Sequence, residues 1–250
     1  MGRWSRLVAR EFLGWLAIPA GRRWLDVGCG TGALSQTILQ FQQPSHVTGI
    51  DPSGSYLSYA HQQINDSRFT SEIGNAQALP CESGCYDAVV SGLMLNFVPL
   101  PQEAVAEMMR AASPGGTVAV YVWDYAERMQ LMRHFWDAAA ALDPEAIRLD
   151  EGRRFSFCQP EPLEGFFRDA GLIDVEIRSI DVPTNFRDFD DYWSPFLGGQ
   201  GSAPGYAMSL SEVPREALRQ KIQAGLPIAT DGSISLIARA WAVRGQRPGI

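Results

Sequence analysis

The spacing of apolar and polar residues predicts regular elements through the first half of the chain. Apolar positions recur every three or four residues from Trp4 to Leu16, which indicates an amphipathic helix. Short β-prone runs then alternate with segments of helical spacing. We predict strands at 23–27, 46–50, 69–73, 86–90 and 117–123. This alternation is typical of a parallel sheet with helices on both faces, an α/β fold.

The second half of the chain has a less regular pattern. Residues 184–230 are irregular and rich in aromatic side chains, with a glycine-rich stretch at 198–201, and then helical around Leu218 and Ile222. The segments around them are predicted as helices at 127–142 and 163–170 and strands at 175–182 and 233–243. If the strand before residues 184–230 is parallel and the last one antiparallel, this segment projects from the carboxyl edge of the sheet. We therefore predict a core of residues 1–183 plus 231–250 and a hinged lid of residues 184–230.

Composition and charge exclude several classes of protein. The chain of 250 residues has 21 Lys and Arg against 28 Asp and Glu, a net charge of −7. Because no basic cluster is present, we expect no nucleic-acid partner. No apolar run is long enough to span a membrane, and no secretory signal precedes the first helix. Four cysteines are too few for a disulfide scaffold and lack metal-ligand spacing, so we expect reduced thiols, no metal and a cytoplasmic location.

The candidate chemistry lies in a glycine-rich turn between the first predicted strand and the following helix. The run Asp26-Val27-Gly28-Cys29-Gly30-Thr31-Gly32 also satisfies the spacing of the dinucleotide fingerprint, which alone is a weak signal. Asp26 precedes the first glycine, and its carboxylate repels phosphate but suits an ammonium group. Asp51 ends the next strand, where a carboxylate can accept both hydroxyls of a ribose. These residues favour a ribonucleoside whose other end is cationic, a description that S-adenosylmethionine fits.

Five sequence blocks, in the right order and spacing, closely resemble the class I S-adenosylmethionine-dependent methyltransferases. The resemblance is to the small-molecule type related to ubiquinone- and menaquinone-biosynthesis enzymes, and it covers residues 1–124 well and the remainder loosely. The blocks are WLDVGCGTGAL at 24–34, IDPS at 50–53, GNAQALP at 74–80, YDAVVSGLMLNFVP at 86–99 and EMMRAASPGG at 107–116. The family's fold is a Rossmann-like, mostly parallel seven-stranded sheet with helices on both faces and an antiparallel last strand.

The resemblance also implies which residues bind the cofactor. Residues 28–30 would lie against its methionine part, with Ser91 nearby, Asp51 would bind the ribose, and Pro52 would pack on the adenine. Asn75 and Ala76 would contact the adenine edge, although the family usually has Asp where this chain has Asn75. The complete predicted set is Asp26, Val27, Gly28, Cys29, Gly30, Gly32, Asp51, Pro52, Asn75, Ala76 and Ser91. Arg3 and Arg6 are either partners for the methionine carboxylate or a solvated basic end.

The expected activity is transfer of a methyl group to a small molecule, with S-adenosylhomocysteine as the second product. The aromatic residues of 184–230 favour a largely apolar acceptor. Candidates for a base or an acceptor contact are Asp124, His134 and Tyr192, and the identity of the acceptor stays open, as does the choice between monomer and homodimer. A non-catalytic S-adenosylmethionine-binding protein is one alternative. A nicotinamide-dependent oxidoreductase is another, but it has no use for Asp26.

Overall fold

The computed structural model describes residues 2–198 and 201–249, with residues 2 and 3 described by their backbone only. Within these ranges the chain forms seven strands and ten α-helices. The strands are β1 (Arg23–Val27), β2 (His46–Asp51), β3 (Phe69–Ile73), β4 (Tyr86–Gly92), β5 (Ala112–Trp123), β6 (Ile173–Phe186) and β7 (Ile234–Gln246). The helices are α1 (Gly2–Leu16), α2 (Ala33–Phe41), α3 (Gly54–Gln63), α4 (Pro101–Ala111), α5 (Gln130–Leu142), α6 (Glu151–Arg154), α7 (Pro160–Asp169), α8 (Phe189–Trp193), α9 (Ser202–Ser209) and α10 (Glu212–Gly225).

The strands form one sheet in the order β3-β2-β1-β4-β5-β7-β6. The pairs from β3 to β5 are all parallel, so these strands end at one carboxyl edge. The last strand runs antiparallel, as predicted. Buried runs such as Leu25–Val27 in β1 and Val118–Trp123 in β5 form the centre of the sheet, because both of its faces are covered. The predicted fold class is therefore confirmed.

The chain divides into two compact units. The first comprises residues 1–122, 159–180 and 240–250. Its core includes Phe12 of α1 and Trp24 of β1, both fully buried. The second comprises residues 123–158 and 181–239. Its core is aromatic, with the rings of Phe135 and Phe196 stacked at a centroid distance of 4.6 Å.

Strand β5 begins five residues earlier than the sequence pattern predicts. Pro114, Gly115 and Gly116 are residue types that commonly follow the end of a helix, but they lie inside the strand. Arg247 explains this, because its backbone exchanges hydrogen bonds of 2.9 Å with Gly115 and Gly116. Its guanidinium also donates to the carbonyl of Ala112 at 2.7 Å. A residue 135 positions beyond Ala112 thus holds this segment extended, which local spacing cannot reveal.

Within residues 184–230, α10 confirms the predicted helix around Leu218 and Ile222, and the remainder is more regular than predicted. Strand β6 continues to Phe186, and three helices, α8, α9 and α10, follow within the described residues. They belong to the same compact unit as α5, and a lid role for residues 184–230 stays a prediction. Gly199 and Gln200, in the glycine-rich stretch, lie outside the described residues. None of the helices in the described chain has the length and apolarity needed to cross a membrane.

Candidate cofactor site

A cavity of about 690 Å³ opens in the first unit, where β1, β2 and β4 end. Parallel sheets bind ligands at this carboxyl edge, because the loops that follow the strands meet there. Eight of the predicted binding residues line the cavity: Asp26, Gly28, Cys29, Gly30, Asp51, Pro52, Asn75 and Ala76. Residues that the sequence placed on three separate segments are thus brought together around one space.

The glycine turn is held in place by backbone hydrogen bonds to the end of β2. The N–H groups of Gly28 and Cys29 both donate to the carbonyl of Ile50, at 2.7 and 3.0 Å. Gly28 has a φ of +70°, and a Cβ on it would lie 2.1 Å from Cγ of Met94. Glycine is therefore required at this position both for its backbone conformation and for the close approach of Met94. The turn presents bare backbone to the cavity.

The carboxylate of Asp26 lies in the cavity wall, and only one of its two oxygens has a hydrogen-bond partner among the described residues. Its side chain is 1% exposed, and Oδ2 accepts a hydrogen bond of 2.6 Å from the hydroxyl of Ser35. Oδ1 has no hydrogen-bond partner among the described residues. Burial raises the pKa of Asp26 to about 7, the nearby charge of Asp51 contributes, and the bonds from Ser35 oppose the rise. An ammonium group would satisfy Oδ1 and restore the charged form, whereas a phosphate would be repelled.

Asp51 lies across the cavity with a carboxylate that is already oriented by the backbone. Its Oδ2 accepts from the N–H of Gly30 and its Oδ1 from the N–H of Ser53, both at 2.9 Å. Each oxygen retains a second lone pair for a ligand hydroxyl. The geometry therefore fits the predicted role of Asp51, the binding of two neighbouring ribose hydroxyls.

The turn at Asn75 lines the cavity on the β3 side. Oδ1 of Asn75 accepts from the N–H of Gln77 at 3.0 Å, so this side chain also stabilises its own turn. Gly74 leaves no space for a Cβ, which would lie 2.7 Å from Pro80 and 2.9 Å from Ile50. The neutral amide of Asn75 can accept one further hydrogen bond. Its predicted contact with an adenine amino group stays a prediction.

Three predicted binding residues do not line the cavity. Val27 is fully buried in β1. Gly32 has a φ of +84°, and a Cβ there would lie 2.7 Å from Ile64, so its small size serves the packing of α2 against the end of α3. Ser91 is 1% exposed, and its hydroxyl has no partner within the described chain. Since neighbouring residues of a strand face opposite sides, Ser91 points away from the face of Gly92.

The cavity wall that follows β4 and the contribution of β5 are not among the residues predicted from the sequence. This wall consists of Gly92, Leu93, Met94, Phe97, Val98 and Pro99, and Tyr121 adds a side chain from β5. Other missed lining residues are Ser5, Thr31, Ala33, Leu34, Ser53, Tyr56, Gly74 and Gln77. Leu93 has a φ of +60°, an uncommon backbone conformation for a non-glycine residue. The apolar run from residue 93 to 99, directly after a predicted strand, was the available signal.

The two N-terminal arginines remain without an assigned role. Arg6 is exposed, and its guanidinium donates to Oε1 of Gln36 at 3.4 Å rather than lining the cavity. The side chain of Arg3 lies outside the described residues. Pairing of either arginine with a methionine carboxylate therefore stays a prediction.

The three candidate catalytic residues all belong to the second unit. Asp124 is fully buried, and its Oδ1 accepts from the N–H of Glu127 at 3.1 Å. The pKa of His134 is lowered by burial, against an opposing effect of Asp137. The hydroxyl of Tyr192 is buried and donates to the carbonyl of Leu131 at 2.8 Å. A catalytic role for any of them stays a prediction.

Tyr192 is expected to contribute measurably to stability through its hydroxyl. The Tyr192→Phe variant should lose about 1 kcal/mol of unfolding free energy, because a buried hydrogen bond to Leu131 is removed. Urea unfolding followed by tryptophan fluorescence measures this loss. Tyr206→Phe is the matched control, since its hydroxyl donates over a longer distance of 3.3 Å to Asp143. If Tyr192→Phe has the same free energy of unfolding as the wild type, the hydrogen bond contributes nothing to stability.

The four cysteines are free thiols, and one of them lies in the cavity wall. Burial, followed by the charges of Asp26 and Asp51, raises the pKa of Cys29 well above its usual range. The thiol therefore stays protonated at neutral pH and is a poor nucleophile. The described residues contain no group of three or more His, Cys, Asp or Glu side chains that could hold a metal ion.

Comparison with known proteins identifies the class of enzyme. Residues 25–120 match the family model described as a methyltransferase domain. This segment runs from β1 to β5 and contains most of the residues that line the cavity. Residues 25–120 thus match a methyltransferase domain, and the comparisons support an enzyme that uses S-adenosylmethionine as the methyl donor.

Individual relatives and solved structures agree with this class. A demethylmenaquinone methyltransferase of Staphylococcus aureus is 28% identical over 188 residues, which cover 70% of this chain and 76% of the relative. The YcgJ protein of Bacillus subtilis shares the fold with a TM-score of 0.63 at 15% identity, covering 98% of this chain and all of that one. Phosphoethanolamine N-methyltransferase 2 of Haemonchus contortus, solved with S-adenosyl-L-methionine, has a TM-score of 0.62 at 17% identity and covers 97% of this chain and 52% of its own.

Proposed function

We propose that this enzyme transfers the methyl group of S-adenosylmethionine to a small, largely apolar molecule. The observation that carries the proposal is the buried carboxylate of Asp26, with its unpartnered Oδ1, in the same cavity as Asp51 and the glycine turn. This arrangement supplies an anion for an ammonium group, two acceptors for a ribose and a backbone surface without side chains. A dinucleotide would instead bring a pyrophosphate to the turn beside a negative charge.

The cofactor would supply a methyl group activated by its bond to a positively charged sulfur. The residues of the chain then act by binding and orientation. Asp26 would hold the ammonium group, Asp51 the ribose hydroxyls and Gly28–Gly30 the adjoining chain by close backbone approach. Transfer is an in-line displacement, which gains most from holding the acceptor in the right orientation and from excluding water. A general base is needed only where the acceptor must lose a proton.

An exposed apolar segment supports the apolar character of the acceptor. Phe97, Val98 and Pro99 line the cavity, and Phe97 is 73% exposed. Leu100, directly after them, is 43% exposed. Large apolar side chains rarely cluster on a surface without a ligand or partner. The named substrates of the two methyltransferase relatives are also small molecules. Coverage of the acceptor by residues 184–230 and a cytoplasmic location stay predictions from the sequence.

Calorimetry with two classes of ligand tests the cofactor assignment. The protein is expected to bind S-adenosylhomocysteine with micromolar affinity and to give no binding heat with NAD. Asp51→Asn should weaken S-adenosylhomocysteine binding about tenfold, because hydrogen bonds to the ribose lose a charged acceptor. Glu72→Gln, which removes an exposed carboxylate from β3, is the control and should change nothing. Binding of NAD without binding of S-adenosylhomocysteine would contradict the proposal.

Turnover tests the catalytic part of the proposal. Release of S-adenosylhomocysteine should depend on adding a member of an acceptor library, and apolar aromatic acceptors should be used better than charged ones. A protein that binds the cofactor but releases no product with any acceptor would favour a non-catalytic role.

A further inference from the structure

Tyr121 lines the cavity, and its hydroxyl makes no hydrogen bond with the described residues. The side chain is 3% exposed, and its ring packs on Phe12 at a centroid distance of 4.9 Å. Phe12 fixes the ring but offers nothing to the hydroxyl. Buried hydroxyl groups are nearly always hydrogen-bonded, because their removal from water is otherwise costly. The cavity side of Tyr121 is therefore where a partner is to be expected.

The register of the sheet shows in which direction this hydroxyl points. Asp26 of β1 pairs with Val90 of β4, and Gly92 of β4 pairs with Tyr121 of β5. Because side chains alternate along a strand, Asp26, Gly92 and Tyr121 share one face of three neighbouring strands. A Cβ on Gly92 would lie 2.4 Å from the Tyr121 hydroxyl oxygen. The tyrosine thus reaches across β4, over Gly92, toward the strand that carries Asp26.

The pKa of Tyr121 agrees with a position of its hydroxyl close to Asp26. Burial raises the pKa of Tyr121 far above its usual range, and the negative charge of Asp26 adds to the rise. The phenol therefore stays neutral at physiological pH. A neutral phenol oxygen accepts a hydrogen bond, and the carboxylate oxygen Oδ1 of Asp26 is the other acceptor on this face without a partner.

We infer that the hydroxyl oxygen of Tyr121 is a second ligand, beside Oδ1 of Asp26, for the α-ammonium group of S-adenosylmethionine and S-adenosylhomocysteine. The inference rests on the proposed cofactor site. An ammonium group presents three N–H donors, and a single carboxylate oxygen leaves two of them to be satisfied. Tyr121 supplies an acceptor for one of these, and Gly92 makes this possible because any larger residue would displace the tyrosine.

The test compares three ligands with the wild type and with Tyr121→Phe, which keeps the ring on Phe12 and removes only the hydroxyl. S-adenosylhomocysteine carries the ammonium and the carboxylate, its decarboxylated analogue carries the ammonium alone, and 5′-methylthioadenosine carries neither. Calorimetry is expected to show a loss of roughly tenfold for the two ligands with an ammonium group. The affinity for 5′-methylthioadenosine should change by less than about twofold, since its recognition does not involve Tyr121.

Tyr86→Phe is the matched control, because Tyr86 is also a buried tyrosine of the first unit but lies outside the cavity. It should leave all three affinities unchanged. Three results for Tyr121→Phe would each overturn the inference. They are an equal loss of affinity for all three ligands, a loss of affinity confined to the ligand with a carboxylate, and no loss of affinity at all. If the wild type binds S-adenosylhomocysteine in those cases, only the inference fails and the proposed function stands. A wild type that binds none of the three ligands overturns the proposed function and the inference together.

Discussion

Replacing Asp26 with asparagine is expected to weaken binding of S-adenosylhomocysteine by a factor of roughly 30 to several hundred. The charged Oδ1 would be replaced by an amide, and a bond between two charged groups would be lost. Because Ser35 donates to Oδ2, the amide oxygen would take that position. The amide N–H₂ would then face the ammonium group, donor against donor. Isothermal calorimetry at pH 7.5 measures the loss, and Glu72→Gln is the control.

The same variant is expected to be more stable than the wild type at pH 8. The pKa of Asp26 in the folded protein is about 7, above the ordinary value of 3.8. The folded form therefore retains a proton that the unfolded form has released, and the free energy of unfolding falls as the pH rises from about 4 to 7. The difference corresponds to roughly 4 kcal/mol at pH 8. Asp26→Asn avoids this cost and should gain about 2–4 kcal/mol at pH 8 but little at pH 4.

The pH dependence of ligand binding shows whether the charge of Asp26, rather than the shape of its side chain, is needed for binding. A cationic ligand needs the carboxylate form, so the affinity of the wild type for S-adenosylhomocysteine should rise between pH 5.5 and 7.5. The affinity of Asp26→Asn should stay flat over this range. Urea unfolding at pH 4 and pH 8 completes the comparison. Equal stability of the two proteins at pH 8 would show that Asp26 is not held in an unfavourable charged state.

The Gly28→Ala variant is expected to lose several kcal/mol of stability, about 2–5, together with measurable cofactor binding. An added Cβ would lie 2.1 Å from Cγ and 2.7 Å from Cβ of Met94, which are the inner and not the flexible outer atoms of that side chain. The φ of +70° adds strain for any residue with a Cβ. Met94 would have to move, and the cavity wall that it forms would move with it.

Gly21→Ala provides the matched control for Gly28→Ala. Gly21 has a φ of +77°, and nothing lies within 4 Å of an added Cβ. It shares the backbone conformation of Gly28 but neither its contact with Met94 nor its place in the cavity. The control should lose about 1–2 kcal/mol and bind S-adenosylhomocysteine normally. Thermal unfolding and calorimetry give both quantities, and similar losses in the two variants would contradict the contact with Met94.

Much of the first unit follows from local sequence signals. The alternation of β-prone and helical spacing predicts β1 to β4 to within a few residues at each end, because each element has its own apolar face. The place of the glycine turn in the cavity wall also follows from the sequence, since Gly28 and Asp26 stand at fixed positions relative to the end of β1. What the sequence cannot show is that Asp26 has one oxygen paired with Ser35 and the other unpaired.

The missed features depend on contacts between distant parts of the chain. Tyr121 looks like any residue of a buried strand until the register sets it opposite Gly92. The first residues of β5 look like a helix stop until Arg247 pairs with them. In the second unit, α8 and α9 have weak local periodicity and are formed by aromatic packing, as in the contact of Trp136 with Tyr206 at 5.9 Å. Tertiary contacts override weak propensity in such segments.

The residues that line the cofactor cavity have a simple distribution along the chain. All of them fall between Ser5 and Tyr121, within the first unit. The described lining of the cavity is thus encoded by one uninterrupted stretch, ahead of residues 123–158. Mutation or recombination downstream of Tyr121 leaves every one of these lining residues unchanged. A chimera joined just after β5 is therefore expected to keep the cofactor affinity of the parent that supplies its first part.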